Sequence, residues 1–125
     1  MSLMLNQIGQ IALTVTNLDT AVAFYRDKLG MAFLFQTPNL AFFDCLGVRF
    51  MLGLPEAESP RPGGSVIYFR VEDIKAAYQE LAEQGVNFKD QPHLVAKLPD
   101  REVWMTFFSD LDGNLLALMS EVSLL

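Results

Sequence analysis

The sequence contains one cysteine, one histidine and one tryptophan among its 125 residues. A lone Cys45 excludes an internal disulfide and a zinc site built from several cysteines. A lone His93 excludes a metal site that takes two histidines from one chain. Basic residues are also few, nine against fifteen acidic ones, and they form no run, so the clustered charge that nucleic-acid binding needs is missing.

Long apolar runs are missing as well. No stretch approaches the roughly 20 apolar residues that span a bilayer, and the first residues lack the positive charge of a signal peptide. We therefore expect a cytoplasmic protein with no membrane partner and no nucleic-acid partner. An apolar fraction of 51% suffices for a packed core, and the length fits one domain over residues 1–125.

A pattern of strands and a helix near the N-terminus occurs again later in the chain. Residues 11–15 alternate as a half-buried strand does, and Asp19 is the predicted N-cap of a helix that ends at Gly30. Three short strands follow, near residues 31–36, 40–45 and 49–54. After a Pro- and Gly-rich connector at residues 59–64, the order begins again with a strand at 66–71, Asp73 as N-cap and a helix that stops at Gly85.

This repeat predicts an α+β fold of tandem βαβββ modules, the first over residues 8–54 and the second over residues 65–121. Two sheets with one helix each bury their apolar sides when both helices lie outside and eight strands curve into a half-barrel with a concave cleft. Large apolar residues at alternate strand positions predict the helix-facing sides, namely Ile11, Leu13, Ile67, Phe69, Leu116 and Leu118.

The chain resembles the vicinal oxygen chelate superfamily, which includes glyoxalases, bleomycin resistance proteins and extradiol dioxygenases. The residues that carry the resemblance are QIALTV at 10–15 with Asp19, FY at 24–25 and LG at 29–30 in the first half. In the second half they are VIYFRV at 66–71 with DI at 73–74, GV at 85–86 and DLDGNLL at 110–116. The resemblance covers nearly the whole chain. It implies a half-barrel, commonly a homodimer, and in metal-using members four strand residues that hold a divalent cation.

At the four positions that the resemblance assigns to metal ligands, this sequence has Gln10, Met51, Val66 and Ala117, with Gly53 replacing Met51 in the alternative register. Gln10 offers one amide oxygen and Met51 a soft thioether, whereas valine and alanine have no donor atom. We therefore predict that the protein uses no metal and no other cofactor. The alternative is a divalent metal at an atypical site.

The predicted function is metal-independent binding of a small, partly apolar organic molecule in the cleft, as the resemblance to the bleomycin-resistance branch implies. Strand alternation lines the cleft with apolar side chains and a few polar groups. The predicted ligand-binding residues are Gln10, Arg49, Met51, Val66, Tyr68, Arg70, Arg101, Trp104, Ala117 and Met119.

An enzyme is the alternative function. Residues 91–104 contain the lone histidine and tryptophan, and in the superfamily this connection often borders the substrate opening. His93 would be the catalytic base of a lyase or isomerase, or of a dioxygenase-related enzyme, with Tyr68 or Arg101 polarising a carbonyl oxygen.

Trp104 allows two interpretations, because its ring can stack on a flat ligand or pack in the core. A third functional alternative follows from the second interpretation. In that case the protein is an interaction module whose cleft is closed by Met51, Trp104 and Met119.

Overall fold

The computed structural model describes residues 8–55 and 65–125, and the chain divides into two compact units, residues 1–60 and 61–125. The connector at residues 59–64 lies outside the described residues. The first unit contains β1 (Gln10–Thr14), α1 (Leu18–Ala23), β2 (Ala32–Gln36), β3 (Leu40–Cys45) and β4 (Val48–Gly53). The second contains β5 (Ile67–Arg70), α2 (Ile74–Glu83), β6 (Asn87–Phe88), β7 (His93–Lys97), β8 (Arg101–Ser109) and β9 (Leu115–Ser123).

Each unit has one mixed sheet. The first has the strand order β1-β4-β3-β2, with β1 parallel to β4. The second has the order β5-β9-β8-β6, with β5 parallel to β9 and with β7 also paired to β8. The predicted α+β class and the repeat of the βαβββ order are confirmed. The concave cleft expected between the sheets stays a prediction.

The second sheet has an additional strand because the strand expected after α2 is interrupted. β6 and β7 both pair with β8, one after the other along its length. Between them, the Asp90 carboxylate accepts hydrogen bonds of 2.8 Å from the Phe107 backbone N–H and the Thr106 hydroxyl. Pro92 has no N–H to donate to a ladder. The described residues therefore form nine strands where the repeat predicts eight.

The first helix begins after Asn17 and not at Asp19. Asn17 has an extended backbone, and its side-chain oxygen accepts a 3.0 Å hydrogen bond from the Thr20 N–H. The prediction of Asp19 as N-cap is wrong because Asn17 already satisfies that N–H group. Asp19 instead accepts a 3.2 Å hydrogen bond from Gln36 on β2. α1 continues as a π-helix over Phe24–Lys28.

The second helix begins and ends as predicted. The Asp73 side chain caps it by accepting a 3.1 Å hydrogen bond from the Ala76 N–H. Gly30 and Gly85 follow the two helices with φ angles of +72° and +89°, a conformation that glycine adopts without strain. Within residues 8–55 and 65–125, neither helix has the length and apolar content needed to cross a membrane.

Aromatic rings form much of each unit's core. In the first unit, the fully buried Tyr25 ring contacts Phe43 and Phe50 at centroid distances of 6.1 and 5.2 Å. In the second, Phe88 links Tyr78 of α2 to the buried Phe108 of β8. Burying such side chains stabilises a fold by about 1.5–3 kcal/mol each. The helix-facing side of each sheet is thereby fixed.

A turn with a buried carboxylate joins β8 to β9. One oxygen of Asp110 accepts hydrogen bonds from the backbone N–H groups of Asp112 at 2.9 Å and Asn114 at 2.8 Å. The other oxygen accepts a 2.8 Å hydrogen bond from the Asn114 side-chain amide. Gly113 has a φ angle of +81°, which closes the turn. These contacts set the register of the two longest strands among the described residues.

The turn between β3 and β4 contains a strained leucine. Leu46 and Gly47 have φ angles of +48° and +90°, as the two central residues of a type I′ turn do. Leu46 is the one non-glycine residue with positive φ in the described chain. Its side chain is fully exposed, so no burial compensates for the backbone strain.

We expect Leu46→Asn to raise the free energy of unfolding by about 1 kcal/mol, because asparagine tolerates left-handed backbone and favours this turn. Urea denaturation would measure the change. The matched variant Gly47→Ala should lower the free energy, since its φ is also positive. Equal stability of Leu46→Asn and the parent protein would contradict the strain argument.

Candidate functional site

Each sheet has a helix-facing side and an opposite side, here termed its helix-free face. On the first sheet, cross-strand pairing places Gln10 beside Arg49 and Phe42 beside Met51 on the helix-free face. Their strand neighbours, such as Phe50, point the other way and are buried. The predicted residues Gln10, Arg49 and Met51 therefore share one face.

The first helix-free face is aromatic and carries charges of both signs, because Asp44 pairs with Arg49. The Gln10 amide nitrogen lies 4.0 Å from the Met51 sulfur. The Arg49 guanidinium lies 6.0 Å from the centre of the Phe42 ring, and that ring stacks on Phe35 at 4.7 Å.

The second helix-free face brings together most of the predicted residues of its unit. Tyr68 pairs with Ala117, and Arg70 pairs with Met119. Met119 in turn lies opposite Met105 on β8, so two methionines form an apolar floor beside Arg70. Val66 immediately precedes β5 and is half-buried.

Two aromatic rings cover the position that the family pattern gives to a metal-binding glutamate. Ala117 lies between Tyr68 on β5 and Phe107 on β8, and the two rings meet edge to face with centroids 6.0 Å apart. Ala117 has no exposed surface, while Tyr68 is 45% exposed. A glutamate at position 117 would have to displace this ring pair or bury its carboxylate beneath it.

Glu121 lies between two arginines at one end of the same face. Its carboxylate accepts a 2.6 Å hydrogen bond from Arg101 and lies 3.7 Å from Arg70. The hydrogen bond from Arg101 lowers the pKa of Glu121 below its usual value, and the charge of Arg70 acts in the same direction. Arg101 also pairs with Asp100 at 3.2 Å. Arg70 is the more available of the two cations, because 68% of its side chain is exposed.

His93 lies on the edge strand β7, opposite Met105. Its Nδ1 atom is 2.8 Å from the Gln91 carbonyl oxygen, which only accepts hydrogen bonds, so we assign the neutral-ring proton to Nδ1 and leave Nε2 as an acceptor. The order β5-β9-β8-β7 separates His93 from Tyr68 by three strand spacings, about 14 Å. The structure does not bring His93 together with Tyr68 or the paired Arg101.

Trp104 lies on the helix-facing side of β8, away from Met119. Its indole N–H donates a 3.2 Å hydrogen bond to Glu102, and the Lys75 ammonium of α2 lies 5.2 Å from the ring centroid. Trp104 and Met119 therefore do not close a common pocket. Residue parity could have indicated this, because Trp104 is an even number of positions from Phe108, a core residue of the same strand.

The donor set at the four family positions does not fit a divalent cation. Gln10 supplies one amide oxygen, Met51 a thioether, and Val66 and the covered Ala117 nothing. Within residues 8–55 and 65–125, no three His, Cys, Asp or Glu side chains are grouped so that they could hold a metal ion.

A mixed sheet with a helix on one face, formed twice in the same order apart from the interrupted strand of the second unit, defines a protein of the glyoxalase fold class. The sequence between residues 7 and 118 matches the Glyoxalase/Bleomycin resistance protein/Dioxygenase superfamily. The chain belongs to this superfamily.

Three similar proteins illustrate the relationship. YraH of Bacillus subtilis strain 168, an uncharacterized protein, is 30% identical over 86% of this chain and 92% of its own length. The metallothiol transferase FosB of Staphylococcus haemolyticus is 28% identical over 92% of this chain and 84% of its own. A crystal structure of a superfamily member from Sphaerobacter thermophilus is 31% identical, covers 95% of this chain and 100% of that chain, and has a TM-score of 0.74.

We expect Ala117→Glu to lower the free energy of unfolding by about 3 kcal/mol, because a larger and charged side chain must enter a filled space under two rings. Met119→Glu is the matched control, since Met119 is on the same strand and face but is half-buried beside Arg70. Urea denaturation would compare them. An Ala117→Glu protein of parental stability that binds one equivalent of Mn²⁺ would contradict the ring-cover argument.

The stability contributed by Glu121 should depend on pH. Its pKa is lowered by folding, so the contribution is complete above the usual carboxyl pKa and is lost as the pH falls through the lowered value. Glu121→Gln should therefore be less stable than the parent at pH near 7 and equally stable in strong acid. Urea denaturation across the acid range would test this, with Glu83→Gln on exposed α2 as control. A constant difference at all pH values would contradict it.

Proposed function

We propose that this protein binds a small, partly apolar organic molecule without a metal ion, and that the second helix-free face supplies the main contacts. The observation that carries the proposal is the covered Ala117. The position where the family pattern places a metal ligand is closed by Tyr68 and Phe107, while Arg70 and Met119 beside it stay accessible.

The chemistry of this face indicates what the ligand contains. Met105 and Met119 offer polarisable apolar contact that adapts to ligand shape. The exposed part of the Tyr68 ring adds a flat surface with a hydroxyl group. Arg70 adds a positive charge that is only partly satisfied by Glu121 at 3.7 Å. A molecule with an aromatic or aliphatic body and one anionic group matches this set.

The relationship to FosB does not by itself support metal chemistry here. FosB is named a metallothiol transferase, and it is 28% identical to this chain. The four family positions of this chain, however, supply one amide oxygen and one thioether between them. The family relationship is therefore evidence for a shared fold, whereas the side chains of this sequence favour ligand binding without a cation. The predicted homodimer stays a prediction.

Titration with anilinonaphthalenesulfonate, an aromatic molecule with one sulfonate, would test the proposal by dye fluorescence. We expect saturable binding whose affinity is unchanged by EDTA. Met119→Ser should weaken it about tenfold, because burial of a methionine side chain on the ligand contributes more than 1 kcal/mol. Leu94→Ser is the control, since Leu94 is 44% exposed on the same sheet and lies opposite Trp104 on the helix-facing side.

Calorimetric titration with Mn²⁺, Ni²⁺, Co²⁺ and Zn²⁺ completes the test. We expect no stoichiometric tight site for any of them. The proposal fails if one ion binds with unit stoichiometry and strengthens dye binding, or if Met119→Ser and Leu94→Ser have the same effect on the dye.

A further inference from the structure

The second unit has a pocket on the side of its sheet opposite the helix-free face. It has a volume of about 380 Å³ and lies where the start of α2 meets β8 and β9. The ten residues of α2 extend about 15 Å, whereas the nine residues of β8 or β9 extend about 30 Å. The strands therefore continue beyond the helix, and their ends form the wall of the pocket.

Trp104 provides the aromatic surface of this pocket, together with the apolar side chains of Ile74 and Val122. The ring already contacts a cation, because the Lys75 ammonium lies 5.2 Å from its centroid. That distance is within the range of an attractive cation–π interaction. The hydrogen bond from the indole N–H to Glu102 holds the ring in this orientation.

The charges that line the pocket are mostly negative. Glu72, Asp73 and Glu102 contribute three carboxylates, against the single ammonium of Lys75. The Asp73 side chain also caps α2, accepting the Ala76 N–H through one carboxylate oxygen. Lys75 is the second residue of the helix and has an exposed, flexible side chain, so its ammonium can move to solvent when another cation takes its place.

We propose that this pocket binds a small organic cation, of the substituted-ammonium class, over the face of Trp104. The methyl or methylene groups around the nitrogen contact the ring, Ile74 and Val122, and the carboxylates balance the charge. Lys75 occupies the ring face in the free protein and competes with the ligand. This site is separate from the proposed binding face, which lies on the other side of the sheet.

Choline and its uncharged carbon isostere, dimethylbutanol, are suitable probes. Trp104 is the single tryptophan of the sequence, so its fluorescence reports directly on the pocket. We expect a saturable change with choline and about tenfold weaker binding of the isostere. Lys75→Ala should strengthen choline binding severalfold, and alanine at this helical position preserves the fold. Glu102→Gln should weaken choline binding, and Trp104 remains in place as the fluorescent reporter.

Three results would overturn the inference: no saturable response to choline in Lys75→Ala, equal affinity for the uncharged isostere, or equal affinity of Glu102→Gln and the parent protein. Met119→Ser separates the two proposals, because Met119 is on the opposite side of the sheet from Trp104. A choline response that survives this substitution supports the pocket even if dye binding fails. A response that disappears with it places choline on the helix-free face and rejects the pocket.

Discussion

The hydrogen bonds of the Asp110 carboxylate fix the register of β8 against β9, and the chemistry of the second unit depends on that register. A shift by one residue would turn every side chain of a strand to the other side of the sheet. Ala117 would leave the space between Tyr68 and Phe107, and Trp104 would move away from Lys75. This buried turn therefore determines which charged groups and which rings lie on each side of the sheet.

The two sides of the second sheet have different chemistry for a simple geometrical reason. Adjacent residues of a strand point in opposite directions, so a single pair of strands presents Met105 and Met119 on one side and Trp104 on the other. The positive charge of Arg70 belongs to the first side, and the carboxylates near Trp104 belong to the second. The two sides of one sheet thereby carry different charged groups.

Periodicity in the sequence predicted the features that depend on neighbouring residues. The alternation of large and small side chains predicts the strands and the helix-facing positions Leu116 and Leu118, which are buried. Asp73 is predicted as a cap because it stands directly before a helical segment, and its bond to the Ala76 N–H spans only three residues. The pattern predicts Asp19 as the first cap because Asp19 precedes a helical stripe, but Asn17 forms the bond and is an equally suitable capping type two positions earlier. Local pattern does not choose between two such residues.

The features that the sequence does not predict depend on side-chain contacts between residues far apart in the chain. Asp90 interrupts a strand by binding backbone and side-chain groups of β8, sixteen and seventeen residues away. Glu121 meets Arg101 across a hairpin, twenty residues away. Neither carboxylate differs in type or spacing from the solvent-exposed acids of this chain, so only the folded arrangement distinguishes them. The covering of Ala117 by two rings is likewise not visible in the sequence, because the three residues come from three different strands.

The interruption of the strand at Asp90 also changes the edge of the second sheet. One edge of the second sheet consists of β6 and β7, with a break between them and an irregular register within β7. β2, at one edge of the first sheet, has an irregular register between Phe33 and Phe35. Irregular edges do not present a continuous row of N–H and C=O groups for a further strand to join. Phe35 and Leu94 are exposed on these two irregular edges, so the broken register limits the strand pairing that another chain could make beside them.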